Sequence, residues 1–171
     1  IRHGAPKIIA AIGALLKLSM TACVATFVTP LNCRMHPNAR QSVRRYPEVL
    51  CWEGQSEHLI LMITGILGMI IPLAFLTMCF LATRYLPSYA AIGETRFLSA
   101  FAFLFAPVKA SAHWYGLGMI LKCFLTAFAP VCGPPLLQIA FLLSVLGFSF
   151  ITGVHYLPLK TYLLNTLEVS T

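Results

Sequence analysis

RFLSAFAFLFAPVKASAHWYGLGMILKCFLTAFAPVCGPPLLQIAFLLSVLGFSFITGVHYLP, residues 96–158, decides how this chain folds. Its first part, 97–105, is apolar apart from Ser99, yet it supplies only about half of the ~20 helical residues that a hydrocarbon layer ~30 Å thick requires. One in-plane amphipathic or re-entrant helix is therefore predicted over 96–106. Pro107, Lys109 and Ser111 break that run, and Trp114-Tyr115 opens a second apolar segment, 114–132, long enough to span. Gly133-Pro134-Pro135 is a turn, because proline lacks the N–H that a continuing helix needs and disfavours helix in the residue before it. A return helix follows over 136–157. The stretch reads as a short membrane-plane segment feeding a tight transmembrane hairpin.

The whole chain agrees with that solvent. It is 58% hydrophobic and 10% charged, against about 25% charged in soluble domains, so an all-α, multi-pass integral membrane protein is expected. Lys+Arg number 12 against 5 acidic residues, all Glu, for a net charge of +7. The basic residues sit in short loops beside apolar spans, where the bias toward the cytoplasmic side and attraction to anionic headgroups account for them. Membrane lipids are thus expected as partners and nucleic acid is not. The chain opens on Ile1 without the charged start, short apolar run and small-residue cleavage site of a signal peptide. It is read as one bundle, 1–171, belonging to a longer protein.

The first span is predicted over 8–30, with Lys17 in its middle. The connection 31–57, LNCRMHPNARQSVRRYPEVLCWEGQSE, is the only long polar segment and reads as a surface loop, neither strand nor helix. A second span over 58–83 carries Pro72 near its centre, which should kink it by removing one backbone bond. Gly65 and Gly68 on the same helix let a neighbour approach closely. A polar link, 84–96, leads to the in-plane segment. Pro158 and Lys160 close the fourth span, and the tail leaves the membrane or starts another element. Four spans put both termini and the 84–113 link on one face, and the Cys loop with the Gly133 turn on the other. Arg2, Lys7, Arg84, Arg96, Lys109 and Lys160 fall on the first face, and Arg34, Arg40, Arg44 and Arg45 on the second, a surplus that favours a cytoplasmic-type first face.

Cys33 and Cys51 flank the polar loop close to the membrane. A disulfide between them would stabilise the fold by about 3 kcal/mol in the chain-entropy view and would place the loop on an extracellular or lumenal face. The alternative is two free thiols near the headgroups. Cys23, Cys79, Cys123 and Cys132 lie in apolar spans as small hydrophobes, and no Cys/His spacing suggests zinc. Lys17 and Lys122 are intramembrane charges, each costing about 2.5–3.5 kcal/mol on insertion scales, and no acidic residue lies within any span. They either snorkel to an interface, or face a water-filled cavity or a carboxylate from another subunit or another part of the protein. His113 begins the third span and His155 ends the fourth, so an antiparallel hairpin brings both imidazoles to one face. A bis-histidine haem or a chlorophyll ligand is one reading of the pair; interfacial anchoring beside Trp and Tyr is the ordinary one. With no Asp, and no Ser/His/acid set, HExxH or Gly-rich phosphate loop, catalysis has no footing. No enzyme activity, metal or cofactor beyond lipid is expected.

Taken together, several landmarks resemble one family. A Cys loop with Cys33, Pro37, Asn38, Pro47, Cys51, Trp52, Glu57 and His58 leads into a helix bearing Pro72. An F-L-F segment (Phe103, Leu104, Phe105), a basic-proline break (Pro107, Lys109) and W-Y-G-L (Trp114 to Leu117) follow. Lys122 lies inside the next helix, ahead of A-P-V (Ala129, Pro130, Val131), P-x-x-Q (Pro135, Gln138) and a closing Pro158, Lys160, Asn165, Leu167 and Glu168. This pattern resembles the membrane region of the transient receptor potential (TRP)-like polytopic proteins abundant in protists, dinoflagellates above all, often carried behind Cys-rich EGF-like ectodomains. The resemblance covers most of 8–168. Two departures stand out: the break after F-L-F is thinned to Lys109 with Ala-Ser-Ala, and the helix that usually reads R-N or R-K reads Lys122-Cys123.

The resemblance implies a sensor-like bundle associated with ion conduction. It supplies no pore, since a selectivity constriction needs rings of carbonyls or charges, usually from further helices or subunits. Two functions are thus carried forward. One is the non-pore bundle of a TRP-like channel, in which 97–105 transmits force or lipid contacts to the hairpin. The other is a non-catalytic accessory subunit of a photosynthetic or respiratory membrane assembly, packing against other membrane subunits and binding lipid or pigment.

Overall fold

The first apolar run forms α1, Ala5–Phe27, in a computed structural model of the protein that describes residues 4–53 and 56–156. Pro6 sits in its first turn, where a missing N–H interrupts no helical bond. A 3-10 turn at Thr29–Leu31, with Pro30 buried in it, ends the run. The tail 157–171, with the landmarks Pro158, Lys160, Asn165, Leu167 and Glu168, and Arg2 lie outside the described residues.

The second helix is longer than its sequence suggests. α2 covers Ser56–Ile92, 37 residues, or about 55 Å at ~1.5 Å per residue, well beyond a ~30 Å hydrocarbon layer. It runs unbroken through Pro72, Arg84 and Pro87, so the link predicted to begin at residue 84 is mostly helix. Each proline deletes one backbone bond, to the carbonyl four residues back, and the neighbouring bonds hold the helix together. Buried positions recur along one seam at His58, Gly65, Pro72 and Cys79, with Phe75 between the last two and Ala82 just beyond. That seven-residue spacing is the one that keeps two helices in register as they wrap. The helix stops at Gly93, whose φ is +74°. The Gly93 N–H donates to the Ala90 carbonyl and the Glu94 N–H to the Tyr89 carbonyl, at 3.2 and 3.1 Å, the paired bonds of a glycine-terminated helix end.

The segment predicted as one in-plane helix is two short ones, α3 (Thr95–Ala100) and α4 (Ala102–Phe105), broken at Phe101. It is tucked into the bundle. Leu104 is fully buried, Phe103 stacks on Phe75 with ring centroids 6.0 Å apart, and Phe103 lies so close over Gly13 that a Cβ there would collide. Phe97 stacks on Tyr89 at 4.4 Å, pinning α3 to the far end of α2.

After a 3-10 turn at Ala110–Ala112, α5 runs over Tyr115–Thr126, a second 3-10 turn over Ala129–Val131, and α6 over Pro135–Tyr156. The span predicted as continuous over 114–132 is therefore a 12-residue helix with an irregular extension, because Pro130 has no N–H for a regular last turn. Among the described residues three helices are long and apolar enough to cross a membrane, those within Ala5–Leu31, Ser56–Ile92 and Pro135–Tyr156; Tyr115–Val131 is shorter. Gly133, with φ +71°, makes the turn into α6, and the Gln138 amide donates to the Gly133 carbonyl at 2.9 Å. Met20, Val24, Phe75, Cys79, Leu104 and Ile120 form the centre of the core. In lipid such a core gains from close packing rather than from leaving water.

The Cys loop departs from expectation. Instead of lacking strands it folds as a three-stranded antiparallel sheet, β1 (Cys33–Met35), β2 (Gln41–Val43) and β3 (Tyr46–Leu50), in that spatial order. Arg44-Arg45 forms the tight turn between Val43 and its partner Tyr46, and the register shifts between Ser42 and Val43. Pro47 is tolerated because β3 is an edge strand. Ser42 and Val43 are buried, giving the small sheet its own interior.

Candidate functional site

The sheet sits where α1 ends and α2 begins. Cys33 opens β1 and Cys51 follows β3, and the two form a disulfide, as the sequence suggests. Cys51 is 2% exposed and His58, in the first turns of α2, is 5% exposed. The His58 ring donates its Nε2–H to the Pro30 carbonyl at 3.3 Å. That carbonyl oxygen also lies 3.8 Å from Cys33 Sγ. Trp52 meets the imidazole edge-on with centroids 5.1 Å apart. Its φ of +64° is a left-handed conformation that a bulky residue adopts only when its surroundings hold it there. One ligand atom each from Cys33, Cys51 and His58 lies within 4.8 Å of the others, and among the described residues no other group of three His, Cys or acidic side chains does so. The sequence marks His58 only as a landmark after Cys51 and Trp52 and gives it no site role, since no Cys/His motif announces one; its position at the head of the helix that follows Cys51 was the available signal.

The lysines are placed differently from one another. Lys17 is half-buried on α1. Lys122 lines a cavity of about 280 Å³ between α5 and α6, together with Trp114, Tyr115, Phe141, Ser144 and Thr152. Two of the hydroxyls there serve their own helix: Ser144 donates to the Ala140 carbonyl at 2.8 Å and Thr152 to the Phe148 carbonyl at 3.0 Å. The result is an apolar slot of acyl-chain or aromatic character with one ammonium group on its wall. A wider groove of about 560 Å³ runs along α2 and α3 past Tyr85, Tyr89, Phe97 and Phe101.

His113 donates from Nδ1 to the Ala110 carbonyl at 3.2 Å, while His155 is exposed and packs beside Tyr156 at 4.6 Å. The two ends of the hairpin do meet, but through Trp114 and Tyr156, edge-to-face at 5.2 Å, and no ring contact joins the two histidines among the described residues. Pro72 is buried against α1, beside Leu16, Met20 and Cys23. Comparison of the chain with protein-family models, with curated proteins and with solved structures finds no match.

Proposed function

We propose that the chain is the non-pore helical bundle of a channel-type membrane protein of the transient-receptor-potential-like kind, crossing the membrane four times with the disulfide-closed sheet on the extracellular or lumenal side. The seat of the α3–α4 segment carries this proposal. Phe97 is stacked on the overhanging end of α2, while Leu104 and Phe103, a few residues on, are locked against Gly116, Gly13 and Phe75. A displacement of that overhang is handed to α1 and α5 through side chains already in contact, as suits a bundle that relays force or lipid contacts to a conducting part elsewhere. The span hydroxyls favour a non-conducting role for this part. Thr26, Thr64, Thr77, Thr83, Ser144 and Thr152 all donate to carbonyls of their own helices, whereas a pore presents rings of carbonyls or charges to an ion.

One observation favours the accessory-subunit alternative. Gly153 is the one fully buried residue of α6, and most of the surface of this 22-residue helix is exposed, free for other membrane subunits, lipid or pigment. Two measurements test and separate these functions. In sealed vesicles, residues 1–171 should pass no more ions than empty vesicles do; flux above that level ends the non-pore assignment. Gentle purification from native membranes followed by mass spectrometry should find further spans and a pore loop in the same polypeptide. Companions of fixed stoichiometry carrying pigment or redox centres would instead establish the accessory subunit.

A further inference from the structure

We infer that the disulfide at the head of the bundle is one state of a two-state centre, whose reduced state is a Cys2His site for a closed-shell thiophilic cation such as Zn²⁺, built from Cys33, Cys51 and His58. The three ligand atoms already lie within 4.8 Å of one another. Tetrahedral zinc, with Zn–S about 2.3 Å and Zn–N about 2.0 Å, sets its ligand atoms about 3.5–3.8 Å apart. Conversion thus asks the imidazole to close on the sulfurs by about one ångström once the S–S bond is broken. The ligands come from three elements, β1, the end of β3 and the head of α2, which the sheet and the α1–α2 packing hold in place. His58 is buried, and its Nε2 lies 3.3 Å from the Pro30 carbonyl oxygen. Metal-binding histidines commonly give their second N–H to a backbone carbonyl, so we place the metal on Nδ1 while Nε2–H stays on Pro30.

The two states exclude each other. Zinc takes thiolates, and the disulfide has none. A thiol reductant of the compartment delivers two electrons and two protons to the S–S bond and leaves as its own disulfide, giving two thiols at Cys33 and Cys51. Zn²⁺ then displaces the two thiol protons and binds both thiolates and the imidazole, with water in the fourth position. Oxidation by a disulfide-class oxidant withdraws two electrons, re-forms the S–S bond and expels the ion. In both states the outer strands stay tied, by a covalent bond in one and by a metal in the other. The metal state also ties them to α2.

The test uses the full 171-residue chain in lipid nanodiscs. The disulfide is reduced with a phosphine, itself converted to its oxide; the phosphine is removed, and Zn²⁺ or, as a spectroscopic stand-in, Co²⁺ is titrated in. The reduced chain is expected to take up one Zn²⁺ that shields Cys33 and Cys51 from alkylation in peptide mapping. Alkylation of Cys23, Cys79, Cys123 and Cys132 should be the same with and without zinc. Co²⁺ should produce a thiolate-to-metal charge-transfer band, and His58→Ala should weaken binding by about tenfold or more. The oxidised chain should bind no ion. Absence of zinc-dependent protection at both cysteines of the reduced wild-type chain overturns the proposal, a readout that does not depend on any variant folding. Equal affinity in His58→Ala removes the histidine and overturns it as well.

Discussion

A Cβ on Gly65 would sit 2.6 Å from the Phe27 carbonyl oxygen, and one on Gly116 would meet the Leu104 carbonyl, whereas nothing lies within 4 Å of Gly118. Carbonyls of a packed backbone cannot swing aside as the end of a side chain can. Gly65→Ala and Gly116→Ala should therefore each destabilise the fold by about 1–3 kcal/mol, read as a lower unfolding midpoint in micelles. Gly118→Ala should leave the midpoint unchanged or raise it, since alanine is up to about 1 kcal/mol better than glycine within a helix. Equal losses at all three positions would mean that close approach is not what these glycines provide. Gly65 was legible as a small residue on a span. Gly116 was not, because its neighbour Leu104 belongs to a segment whose burial no periodicity announces. The cysteines show the same divide: a pair flanking one polar loop can be paired on paper. The approach of His58 depends on the turn at Pro30 meeting the head of α2, a contact between residues 28 apart in the chain.

At the scale of elements, α2 was cut short on paper because a charge and a proline, Arg84 and Pro87, look like the edge of a membrane and the end of a helix. A helix needs only its backbone bonds, and it continues until Gly93 bends the chain. Gly93→Ala puts a side chain at φ +74°, a conformation that costs non-glycine residues about 1–2 kcal/mol. The Glu94 amide, bonded to the Tyr89 carbonyl at 3.1 Å, should exchange its hydrogen faster in that variant, and the Tyr89–Phe97 stack should loosen with it; an unchanged rate would show that the bend does not rely on glycine. The sheet was hidden for the opposite reason. Pro37, Pro47 and four arginines in one short loop argue against strands, yet Pro47 lies on an edge strand, where its missing N–H has no ladder to break. The Arg44-Arg45 turn between Q-S-V and Y-P-E-V-L was the available clue. With Cys33→Ser and Cys51→Ser in place of the disulfide, the fold should lose about 2–4 kcal/mol, measured as the shift in denaturation midpoint against the oxidised parent.

Across the whole molecule, the number of crossings turns on Tyr115–Val131, an apolar segment shorter than the three spanning helices. Its ends are nevertheless level with two opposite ends of the bundle. Trp114 meets Tyr156 at the last turn of α6, and Phe128 lies with Phe27, Pro30 and Gly65 around one groove beside the sheet. If α1 and α2 cross, the Gly133 turn must emerge on the side of the sheet, and residues 114–132 cross with them despite their irregular end. Single cysteines at exposed positions test this in sealed vesicles of known orientation: Met35→Cys on the sheet, Pro134→Cys in the turn and Ile92→Cys at the end of α2. A membrane-impermeant maleimide should label the first two from the same side and the third only after permeabilisation, or the reverse. The four free native cysteines, Cys23, Cys79, Cys123 and Cys132, are replaced by serine beforehand, so that only the introduced thiols report. Labelling of Pro134→Cys together with Ile92→Cys would mean that 114–132 dips into the membrane and returns. The hairpin would then be a re-entrant element, and a three-span topology would replace the four-span one.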